Sequence, residues 1–174
     1  MKKRLRTIVI FLIIALMMLS LFSCGKDSGI SLSSLERKLS NETWEFSVSD
    51  NKFEYFDSSS ISKITYSGTL NKNGSVKSIK IVNENIDTSI LTDASLTDET
   101  IHKSGGSMRQ SDIRACDCIL QLYNLKELFG ESSNILVDDV NSFFNRTPVK
   151  INGWTIKSNV NSSSKTVTIT ATYD

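Results

Sequence analysis

The chain has 174 residues, 39% of them hydrophobic, with 20 Lys and Arg against 19 Asp and Glu and a formal charge of +1. That length is one ordinary domain, large enough to bury a single core. The charge balance excludes the basic footprint of a nucleic-acid binder.

Residues 1–6 carry Lys2, Lys3, Arg4 and Arg6 and no acid, residues 7–21 are almost wholly apolar, and Leu21-Phe22-Ser23-Cys24 closes the run. A basic start, a short apolar run and a small residue before the break point is the order of a processed secretory signal. The run falls short of the ~20 apolar residues that span a bilayer, and no second long apolar run follows it.

With Cys24 in that place, the segment resembles the signal of bacterial lipoproteins. The resemblance covers the first 24 residues. It implies that the Cys24 thiol receives a diacylglycerol, that the chain is cut before Cys24, and that two or three acyl chains anchor it to a membrane. A single chain holds weakly, at ~0.8 kcal/mol per buried methylene, so several chains mean stable anchoring. Gly25 after the cysteine implies the outer membrane in a two-membrane bacterium, or the outer face of the cell membrane in a one-membrane one. Residues 1–23 are then the signal, 24–30 the lipidated cysteine with a small polar tether, and 31–174 a single domain. Residues 1–23 take with them four of the basic residues and none of the acidic ones, which leaves 151 residues with a formal charge of −3.

Ser33 and Glu36 have the spacing of a capping box, with Leu32, Leu35 and Leu39 on one stripe, which predicts a short helix ending near Ser40. Trp44, Phe46 and Val48 then alternate with polar residues. A two-residue Asp50-Asn51 turn pairs Val48 with Phe53 and Phe46 with Tyr55, placing all five apolar side chains on one face. Ile64, Tyr66 and Leu70 continue the alternation, residues 71–74 turn, and Val76, Ile79 and Ile81 return, the parity change after Val76 predicting a bulge. These strands make a four-strand meander with one wet face.

Residues 87–107 are polar, poorly periodic and contain Gly105-Gly106, with one helical turn expected at 96–101. A connection of more than ~12 residues is uncommon and usually functional or mobile. A long helix follows, opened by a Ser107/Gln110 capping box and stopped by Gly130. Its apolar arc is wide, with Arg114, Asp117, Gln121 and Asn124 as the polar stripe, so it is expected to be buried on more than one side, laid across the sheet. A short helix around Val137, Val140 and Phe144 is expected to cover it. Asn152-Gly153 pairs Ile151 with Trp154 and Val149 with Ile156. After a turn at 161–164, Val167, Ile169, Ala171 and Tyr173 alternate with four threonines, the pattern of a strand with apolar and hydroxyl faces. The expected fold is α+β: an antiparallel sheet, made of the four-strand meander plus C-terminal hairpins, packed against one long central helix and short helices.

Little in this sequence carries chemistry. His102 is the only histidine. It sits in the polar 87–107 segment with Lys103, Asp98 and Glu99, and no nucleophile motif accompanies it, so a solvated loop residue is the simpler reading. These four residues are the candidate binding contacts, since loops on a rigid scaffold carry binding groups. Cys116 and Cys118 lie in the long helix, where residues two apart point ~200° apart. They read as small packed hydrophobes, with a bridge or a metal role as the alternative. Asp138-Asp139 suits a helix N-terminus, and Trp44 and Trp154 fall on apolar faces. No catalytic set, cofactor or metal site is expected.

These readings together lead to a membrane-anchored extracytoplasmic lipoprotein with a non-enzymatic binding or accessory role in the cell envelope. Its partners would be the membrane, through the lipid, and an envelope protein, peptide or glycan. The alternatives are a structural subunit of an envelope assembly, and a small hydrolase or thiol enzyme using His102 or Cys116 and Cys118.

Overall fold

A computed structural model of the chain describes residues 28–39, 46–57, 63–86, 88, 91, 110–131 and 137–174. The fold is α+β. Seven strands form one antiparallel sheet, with three helices among the described residues. In chain order they are α1 (Leu32–Leu39), β1 (Ser47–Ser49), β2 (Lys52–Asp57), β3 (Lys63–Leu70), β4 (Val76–Glu84), α2 (Gln110–Leu128), α3 (Val137–Phe144), β5 (Val149–Ile151), β6 (Trp154–Asn161) and β7 (Thr166–Tyr173). The spatial order is β1-β2-β3-β4-β7-β6-β5. The expected meander and the C-terminal hairpins are thus two halves of a single sheet, joined where β4 pairs with β7 from Ser78↔Thr172 to Glu84↔Thr166.

The turns set the register. Asp50 and Asn51 both have positive φ, as do Asn152 and Gly153, the backbone that a two-residue hairpin turn needs. Val48 faces Phe53, Ile151 faces Trp154 and Val149 faces Ile156, as the sequence predicts. The bulge also falls where expected, with Thr69 opposite Ser78 but Leu70 opposite Val76. Gly68 sits beside it because the Phe53 ring lies across this position, and a Cβ there would collide with that ring and with the Ser78 carbonyl. Of the five apolar residues expected on one face, Trp44 lies outside the described residues, and Val48, on the short edge strand, is 54% exposed. Phe46, Phe53, Tyr55 and Tyr66 form a row of ring contacts at centroid spacings of 5.0 to 6.4 Å.

The first helix starts two residues earlier than its capping box suggests. Ser31 forms an antiparallel bridge with Ser75, so its backbone is extended and the helix begins after it. The Ser31 Oγ accepts from the Ser34 amide at 3.1 Å as the N-cap. Glu36 does not close a capping box; its carboxylate accepts from the Phe46 amide at 2.9 Å and ties α1 to the start of β1.

Helix α2 corrects the expected polar stripe. Gln121 is buried, and Leu120 is 53% exposed. The reason lies on β4, where Asn83 occupies a core-facing position in line with Ile79 and Ile81. Gln121 and Asn83 exchange two hydrogen bonds of 2.8 and 2.9 Å, and Gln121 Nε2 also donates to the Tyr66 hydroxyl at 3.3 Å. This triangle seats the helix on β3 and β4. Gly130 ends it as predicted, with φ +86 and Schellman bonds from Gly130 to Glu127 O and from Glu131 to Lys126 O. Past the end, the Phe129 ring stacks on Trp154 at 4.2 Å, and Asn152 Nδ2 donates to Phe129 O. Ser107, the expected cap, lies outside the described residues. Helix α1 packs against α2, with Lys38 paired to Glu127 at 2.6 Å. Helix α3 packs on β6, where Ser158 Oγ donates to Phe143 O, and its Val140, Phe143 and Phe144 join the buried cluster that also holds Ile119, Leu122 and Leu125 of α2.

Removing one partner of the amide pair leaves the other unsatisfied in the core, at a cost of about 1–3 kcal/mol. Gln121→Ala is therefore expected to destabilise the domain by that order in urea melts. Leu122→Ala, a large-to-small change at a fully buried site, is expected to cost ~2–5 kcal/mol. Asn124→Ala is expected to stay within about 0.5 kcal/mol of the native chain. The joint change of Gln121 and Asn83 to Leu is expected to recover part of the Gln121→Ala loss.

Candidate binding face

All three described helices lie on one face of the sheet. Strand alternation sends Ser47, Ser49, Lys52, Glu54, Thr65, Ser67, Thr69, Ser78 and Lys80 to the other face, and from the second half of the sheet Lys150, Thr155, Lys157, Asn159, Thr166, Thr168, Thr170 and Thr172. None of them is buried. Phe56 and Val82, on either side of Thr65, share this parity, so the face is a broad hydroxyl surface studded with charge around one small apolar patch. Lys52, Lys63, Lys80, Lys150 and Lys157 stand on it against Glu54, Glu84 and Asp174, whose carboxylate accepts from Thr155 Oγ1 at 3.1 Å, a positive excess on a domain whose own charge is negative.

Lys80 and Lys157 both flank Thr170 in the ladder. Two strand spacings separate them, about 10 Å, close to the Debye length of ~8 Å at physiological salt. Their fields therefore overlap at an anion placed between them. Toward the β1 side the face dips into a concavity of about 500 Å³ whose walls include Lys52, Glu54, Ser67, Thr69, Ser78 and Lys80. Thr69 and Ser78 share a 2.7 Å hydroxyl bond across the bulge. The outward parity of each lysine was readable in sequence, but the β4–β7 pairing that brings Lys80 and Lys157 together was not, because about eighty residues separate β4 from β7.

The sequence-predicted contacts Asp98, Glu99, His102 and Lys103 lie outside the described residues, as does Cys24. Of the 87–107 segment only Thr88 and Leu91 are described. Its departure is fastened: the Ile86 amide donates to Lys165 O, and Thr88 Oγ1 to Ser162 Oγ, at the β6–β7 turn. The segment therefore leaves from the rim of the sheet opposite the β3–β4 turn.

Neither Cys116 nor Cys118 is in a disulfide. Cys118 is fully buried and Cys116 half-buried. Burial, reinforced by the nearby Asp117 charge, pushes the Cys118 thiol far above its ordinary range. It remains protonated at neutral pH, the reverse of an activated nucleophile. Burial likewise raises the Asp117 carboxyl. Among the described residues no group of three or more His, Cys, Asp or Glu is placed to hold a metal ion, and no helix is long and apolar enough to cross a membrane. Comparison with protein-family models, with curated proteins and with solved structures gives no match.

A carboxyl whose pKa is raised by folding holds its proton in the native state where the unfolded chain has already released it. Its stabilising contribution is full below the ordinary value of 3.8 and is lost as pH rises through the folded pKa. Asp117→Asn is therefore expected to raise the urea midpoint at pH 7, with the gain over the native chain shrinking as the pH is lowered toward 3.8. A gain that does not change with pH would assign the effect to packing rather than charge.

Proposed function

We propose that the chain is a membrane-anchored extracytoplasmic lipoprotein of the bacterial envelope, held by acyl chains on Cys24, with a non-enzymatic binding or accessory role. The membrane is the outer membrane or the outer face of a single cell membrane. One observation carries the binding role: a seven-stranded sheet covered by the described helices on one side, whose other side is a solvent-facing field of hydroxyls and lysines. The 19-residue helix α2 is read as the central element of the core beneath that platform.

The chemistry of the face favours a partner with acidic groups, an envelope protein, peptide or glycan. Ser and Thr hydroxyls donate and accept hydrogen bonds, and the lysine excess supplies attraction that salt screens. The sheet edges are poor docking lines by comparison. β1 and β5 are three residues each, and Pro148, the chain's single proline, precedes β5. Short edges and proline both resist strand addition.

The anchor is tested by Cys24→Ser in the producing cell. The variant is expected to leave the detergent phase and to accumulate with residues 1–23 attached, read by intact mass. A variant still cleaved and acylated would reject the anchor. The face is tested separately with an acidic peptide and a carboxylated cell-wall glycan as probes. Binding is expected to weaken with added salt and to fall at least tenfold, ~1.4 kcal/mol, in the Lys80→Glu/Lys157→Glu chain with its melting midpoint unchanged. Binding that ignores both changes would reject the face.

A further inference from the structure

We infer that the rim of the sheet carrying the β3–β4 turn rests on the anionic headgroups of the anchoring membrane, with Lys72 and Lys77 as the contacts; this rests on Cys24 being the lipidated residue. Ser28 is already part of the fold. Its Oγ donates to Val76 O at 2.6 Å, Ile30 O accepts from the Val76 amide at 2.8 Å, and Ser31 bridges Ser75. Only Gly25, Lys26 and Asp27 lie between the anchor and this attachment. Four residue steps of fully extended chain reach about 14 Å at most. A bilayer's polar layer is itself several ångströms deep on each side, about 5–7 Å. The first folded residue is therefore within about one Debye length of the headgroup surface.

Beside that residue stand two exposed lysines, with Asp174 the acid at the same rim, two residues beyond the Thr172 that pairs with Ser78. The turn Asn71-Lys72-Asn73-Gly74 leads into Ser75 and Val76, and Lys77 follows the very residue whose carbonyl holds Ser28. Lys72 and Lys77 are both exposed. The turn is stiff rather than floppy: the Asn71 amide donates to Ser75 O, Gly74 to Asn71 O, and the Ser75 amide to Asn73 Oδ1 at 3.1 Å. Two lysines thus sit on a rigid corner that the tether cannot hold away from the lipid. Lysines placed this close to an acidic leaflet are drawn to it. The strands then run away from the membrane. β7 has eight residues, about 27 Å of strand, and the β6–β7 turn with Lys165 and the departure of the 87–107 segment stand at its far end.

The test uses the full chain, purified from membranes and reconstituted into vesicles of phosphatidylethanolamine with phosphatidylglycerol, or of phosphatidylcholine alone. Lysines are labelled with an amine-reactive reagent and their rates read by mass spectrometry. The same spectra report whether Cys24 is acylated. Lys72 and Lys77 are expected to label several-fold more slowly on the anionic vesicles than on phosphatidylcholine, with Lys165 equal on both. An acylated chain whose Lys72 and Lys77 label alike on the two lipids overturns the headgroup contact and leaves the anchor standing. Slowing at Lys165 as large as at Lys72 overturns the orientation. A chain without acyl groups on Cys24 removes the anchor reading, and this inference with it.

Discussion

A carboxamide buried without a partner is a liability of about 1–3 kcal/mol, and α2 carries one on its inner side. Gln121 escapes that cost in one seating only, where its side chain meets Asn83 and both amides exchange bonds. Rotation of the helix by a single residue, about 100°, would turn Gln121 away from β4 and strand Asn83 among Ile64, Ile81 and Val167. The hydrophobic contacts around the pair are non-directional. The amide pair supplies the direction, and the Tyr66 hydroxyl extends it to β3. The stacking of Phe129 on Trp154 and the packing of α1 on α2 both follow from that one seating.

Because the helices are thereby held to one side, the sheet has two unlike faces. The inner face buries Phe53, Ile79, Ile81, Ile156, Val167 and Ile169. The outer face alternates with it residue by residue, so its hydroxyls and lysines are fixed in position by the same pleat that builds the core. An exposed sheet of this width is open to edge association, and the three-residue edge strands limit that risk. What remains available to a partner is the face itself.

Much of the sheet was legible in the sequence because its signals are local. Asp50-Asn51 and Asn152-Gly153 specify two-residue turns, and each turn fixes the strand register beside it. The change of parity after Val76 was enough to place the bulge. Where the reading went astray, a distant partner decided the outcome. Gln121 looked like part of a polar stripe because Asn83, which buries it, is 38 residues away. A polar residue at a core-parity position of β4 was the available sign that an internal partner was needed. Glu36 has the spacing of a capping box but bonds to Phe46 instead, since the Ser31 bridge to Ser75 starts the helix earlier. The lysine face was legible strand by strand but not as a surface, because no local rule says that β4 lies beside β7.

That last adjacency also governs the order in which the molecule can form. β7 is the last of the described strands in chain order, yet it occupies the interior of the sheet, between β4 and β6. The meander and the β5–β6 hairpin are short-range structures able to form early, but the ladder joining the two halves closes a very long loop. Non-local pairings of this kind are slow. The inner surfaces of β4 and α2 stay incompletely covered until residues 166–173 arrive. The architecture therefore withholds the finished core until β7 has joined the other six strands.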